Sequence, residues 1–139
     1  MRIWVGLLAV AALLGSGLET VRSEPNPEKR SDKALAYAAS VLSSIKKASD
    51  SGEAVELPER MKEIREAVDL SVKSLDASGK NPSKSRYFKK AELNTRELVR
   101  RLDNLGKSVG FEERGQVEEL MRYVEKIHDD LLHRVMTKR

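Results

Sequence analysis

Cysteine is absent from the 139 residues, and histidine occurs only twice. Without cysteine there is no disulfide, thiolate metal site, iron–sulfur cluster or thiol nucleophile. Two histidines exclude a His-rich metal site but leave open one built mainly from carboxylates. Aromatic residues make up only 4% of the chain, so a core has to come from Leu, Val, Ile and Ala. No Ser/His/Asp arrangement, phosphate-cradling Gly-rich loop or isolated pair of inward carboxylates stands out, and no enzyme activity is expected. Asn81 precedes Pro82, which blocks it as a glycosylation acceptor. The longest uncharged stretch, Ile3 to Leu18, holds 16 residues, fewer than the roughly 20 that a membrane-spanning helix needs.

That stretch has another reading. Met1-Arg2 is a short positive start, and Ile3 to Leu14 is an apolar run rich in Leu, Ala and Val, as in a secretory signal peptide. Residues 1–23 are therefore expected to be a signal peptide. Gly15 and Gly17 place small residues for cleavage after Gly17, and Val21 and Ser23 do so for cleavage after Ser23. An exported domain without cysteine fits the bacterial periplasm or cell surface better than a secreted eukaryotic setting, where small domains rely on disulfides.

Residues 24–30 (EPNPEKR) are polar and carry two prolines, which reads as a flexible leader. Beyond it, apolar residues recur at alternating spacings of three and four, a helical period that strands do not produce. The runs are Leu35, Ala38, Leu42, Ile45, then Met61, Ile64, Val68, Val72, Leu75. They continue as Phe88, Ala91, Thr95, Leu98, Leu102, Leu105, Val109, and finally Val117, Leu120, Val124, Ile127, Leu131, Val135. Ser31 suits the N-cap of the first helix, Pro58 the first turn of the second and Gly79 its end. Asn81-Pro82 should open the third helix and Gly110 close it. Short connections place consecutive helices side by side, so residues 31–139 are expected to form an all-α, antiparallel up-down four-helix bundle. The same pattern also fits helical hairpins that dimerise as a self-associating coiled coil.

The formal net charge of +4 hides an asymmetry. In the expected topology Lys80, Lys84, Arg86, Lys89 and Lys90 share one end with Arg134, Lys138 and Arg139. Bases at the finish of the fourth helix suit the helix macrodipole, but five at the start of the third oppose it. Lysines beside the free N–H groups of a helix start make an anion-binding reading, with a lipid head group, envelope polyanion or acidic protein as partner. The dull alternative is a solvated surface. Nucleic acid is not expected, because no reading motif occurs and the charge is modest.

Two cofactor readings attach to the fourth helix. Glu125 and His128 form a Glu-x-x-His, a spacing used by carboxylate-bridged metal bundles, which need two copies; only one occurs here. His128 is also the candidate axial ligand for a non-covalent haem. No cofactor is expected, and a haem- or metal-binding periplasmic bundle through His128 is the alternative. Finally, the segments Arg96–Asp103, Phe111–Arg114 and Val124–Leu132 resemble small exported bacterial helical proteins. That resemblance covers the last two helices and implies no activity, cofactor or catalytic residue.

Overall fold

A computed structural model describes residues 17–137, which are helical throughout apart from short connections, with no strand among them. The apolar run up to residue 16, expected as part of a signal peptide, lies outside the described residues, as do Lys138 and Arg139. Residues 17–22 are helical. Four long helices follow: α1 Pro27–Asp50, α2 Leu57–Ser78, α3 Arg86–Ser108 and α4 Phe111–Met136. The longest, α4 with 26 residues, extends about 39 Å.

Helix boundaries follow local chemistry. Within the stretch expected as a leader, residues 27–30 are helical: α1 begins at Pro27, and the Asn26 side chain accepts the Lys29 N–H at 3.0 Å. Ser31, expected as that cap, is instead buried one turn inside, with no hydrogen-bond partner for its hydroxyl. With Pro27 pre-set for the first helical position, the cap falls at Asn26, and Ser31 lies beyond the free N–H groups of the first turn. Pro58 does stand in the first turn of α2, and Gly79 closes it at φ 67°, a left-handed conformation that glycine adopts without strain. Asn81-Pro82 does not open α3. It forms a turn in which the Asn81 carbonyl accepts Lys84 N–H and Ser85 N–H, each at 3.0 Å. Ser85 is the true cap, accepting Phe88 N–H at 3.3 Å. At the tight α3–α4 junction, Arg114 Nε donates to the Gly106 carbonyl at 3.0 Å, satisfying an acceptor that the helix end leaves open.

Every residue of the expected apolar runs is buried except Val72, Val109, Ile127 and Val135, which are half-buried. The seams of α1 and α2 are wider than expected and use small side chains, adding Ala34, Ala67, Ser71 and Ser74. Consecutive helices pack side by side within α1/α2 and within α3/α4, but α2 and α3 scarcely touch. Instead α1 runs along α3 and α2 along α4. Both of these cross-hairpin pairs are parallel. Lys90 meets Asp32, and one stretch further on Arg101 meets Ser43; similarly Tyr123 meets Asp69 and Arg134 meets Asp76. The connection over residues 79–85 is long enough to carry the chain across the diagonal between the hairpins, which a two-residue link could not do.

Candidate functional site

The parallel pairing of α1 with α3 brings their two starts together, beside the finishes of α2 and α4. Lys80, Lys84, Arg86, Lys89 and Lys90 are all exposed there. Arg134 reaches the same end and is half-buried, with its guanidinium 4.9 Å from the centre of the Phe88 ring. Phe88 itself is 1% exposed and belongs to the core. A cleft of about 330 Å³ separates the α2–α3 connection from the end of α4, lined by Lys80, Asn81, Pro82, His133, Arg134 and Thr137 among others. A shallower depression of about 290 Å³ lies on the other side of Lys80, bordered by Glu28, Lys84, Arg86 and Tyr87.

The bases divide into two groups. Lys90 is paired with Asp32 at 3.0 Å, and Arg134 with Asp76 at 2.6 Å and more loosely with Asp130 at 3.7 Å. Arg86 donates to the Tyr87 hydroxyl at 3.3 Å and leans over that ring. Lys80, Lys84 and Lys89 have no ion-pair partner among the described residues. Part of the electrostatic conflict in α3 is resolved from outside the helix. Glu28, in the first turn of α1, accepts the Ser85 hydroxyl at 3.2 Å, setting a carboxylate at the α3 start where the macrodipole favours one. Glu28 and Asp32 were both visible in the sequence. Their role depends on α1 lying parallel to α3, which helix periodicity does not encode.

The Glu-x-x-His pair does not form a site. Glu125 is exposed, whereas His128 turns inward and its Nε2 lies 2.9 Å from Glu92 Oε2 on α3. Glu92 is 7% exposed and also takes Arg96 at 2.7 Å. The His128 Nε2 is therefore engaged by a side chain of the facing helix. No group of three His, Asp or Glu residues placed to hold a metal occurs among the described residues. Glu92 was not singled out by the sequence reading. The signal was its place in the set 88, 91, 92, 95, which marks one flank of the α3 seam.

Two tyrosines tie neighbouring helices, Tyr123 of α4 to α2 across the hairpins and Tyr37 of α1 to α2 within the first. The Tyr123 hydroxyl donates to Asp69, which together with burial pushes its pKa above the usual phenol value. Arg65 covers the same ring at 4.0 Å. Burial, followed by the Glu63 carboxylate, raises Tyr37 in the same direction. No helix among the described residues is long and apolar enough to cross a membrane. Comparison with protein-family models, with curated proteins and with solved structures finds no match for this chain.

Proposed function

We propose that this is an exported, cofactor-free helical protein of the bacterial cell envelope, a four-helix bundle that acts by contact rather than catalysis. Its basic end meets an anionic envelope component, either a lipid head group or a polyanion. The observation that carries this reading is the trio Lys80, Lys84 and Lys89, exposed and without ion-pair partners beside Arg86. Exposed lysines with no carboxylate in ion-pair contact retain attraction for an external anion, whereas Lys90 and Arg134 spend theirs on Asp32 and Asp76. The clefts on either side of Lys80 give an anionic group room to approach.

The test is capture of partners from native envelope extract by the processed chain, at low and at moderately high salt. Contacts between exposed charges weaken strongly across that range. Capture of an anionic component at low salt and its loss at high salt supports the reading. Capture that is unchanged by salt, or absent at both, returns the basic end to a solvated surface.

A further inference from the structure

We infer that the export segment is removed between Gly17 and Leu18, so that residues 18–23 stay in the folded domain. This rests on the export reading above and sharpens it. Small side chains at Gly15 and Gly17, or Val21 and Ser23 in the corresponding places, make the bonds after 17 and after 23 both acceptable to a signal endopeptidase. Local sequence does not separate them, but the fold does.

Leu18 is 5% exposed and Val21 7%. They stand three apart in the helical segment 17–22 and so share one face, with Leu18 joining the main core cluster. The intervening Glu19, Thr20 and Arg22 are exposed, as is Ser23. This is the in-and-out pattern of a domain helix, unlike the uniformly apolar run that precedes it. Polar contacts hold the segment in place. Arg22 lies 2.9 Å from Glu19 and 3.9 Å from Glu66 on α2. Glu24, which either product keeps, is anchored separately: its carbonyl accepts Arg30 at 3.0 Å and its carboxylate takes Lys33 at 2.7 Å. Cutting after Ser23 would strip two core side chains and uncover the apolar surface beneath them. Cutting after Gly17 removes no core side chain among the described residues. The step is a hydrolysis during export, before the domain folds. Water adds across the Gly17–Leu18 amide, leaving a carboxyl group on Gly17 and an amine on Leu18, under catalysis by a membrane-bound signal endopeptidase.

The full chain is expressed in a bacterium with intact export machinery, and the exported product is read by intact mass and N-terminal sequencing. The expected start is Leu18-Glu19-Thr20. A start at Glu24-Pro25 overturns the inference while leaving export intact. A product that keeps Met1 and is never exported overturns the export reading itself. A second measurement addresses the folding argument: the Leu18→Ala/Val21→Ala product should melt about 10 °C below the parent. An unchanged melting temperature would show that the segment is no part of the domain.

Discussion

The two hairpins solve the same packing problem with different side chains. The first sets small residues between its leucines and isoleucines: Ala34, Ala38 and Ala67 are fully buried, and Ser31, Ser71 and Ser74 lie among them at 1% exposure or less. Its buried polar side chains are neutral hydroxyls answered in different ways: Ser71 donates to the Val68 carbonyl one turn back at 2.7 Å, Ser74 accepts from Arg30 on α1 at 2.8 Å, and Ser31 has no partner. The second hairpin packs large side chains: Phe88, Leu98, Leu102, Leu120 and Leu131. Its buried polarity includes an ionisable group, Glu92, which needs His128 from the facing helix and Arg96 from its own. Small side chains tolerate no added volume, large ones no lost volume, and a buried carboxylate no lost partner.

The contrast is broken most severely by truncating the second hairpin. Leu102→Ala, at a site with no exposure, should lower unfolding free energy by about 2–5 kcal/mol in urea titration. Overfilling the first comes next: Ala38→Leu should cost about 1–3 kcal/mol, whereas a loosely packed hairpin would accept it without loss. Of similar or smaller size, His128→Ala leaves Glu92 with Arg96 alone and should cost about 1–3 kcal/mol. Replacing both members by apolar residues should recover most of that loss, and a double variant as unstable as the single one would refute the pairing.

A pH titration sharpens the comparison further. The raised pKa of Tyr123 means that its neutral phenol contributes stability that is fully present below the unfolded tyrosine value of about 10. That contribution fades as pH rises through the folded value. Tyr123→Phe should therefore lower stability across the neutral region, where the bond to Asp69 is intact, and flatten the alkaline limb of the profile. The smallest effect belongs to the half-exposed Lys90–Asp32 pair, where Lys90→Gln should change stability by no more than about 0.5 kcal/mol.

Much of this architecture was legible from residue spacing. The alternation of three and four placed the buried residues of all four helices, because core burial is what that period records. It missed the small-residue widening of the first hairpin, since Ser71 and Ser74 carry no hydrophobic signal. It also missed the start of α1, where a proline-bearing polar stretch resembles a linker until Asn26 is recognised as a cap. Lateral order was the larger gap. Which hairpin faces lie together depends on the path of residues 79–85, and that choice gave Glu28 its place at the α3 start and left Lys80, Lys84 and Lys89 without partners. The basic cluster itself was plain in the sequence; its division into paired and unpaired members required the fold.

That division is the most direct handle on function. Binding of the processed chain to anionic phospholipid vesicles should be measured at low salt for a Lys80→Gln/Lys84→Gln/Lys89→Gln variant against Lys90→Gln. At about 1 kcal/mol per base near an anionic surface, the triple change should weaken binding by roughly 100-fold, and Lys90→Gln should have a much smaller effect. Equal binding by the parent and the triple variant would contradict the account and leave the basic end as solvated surface.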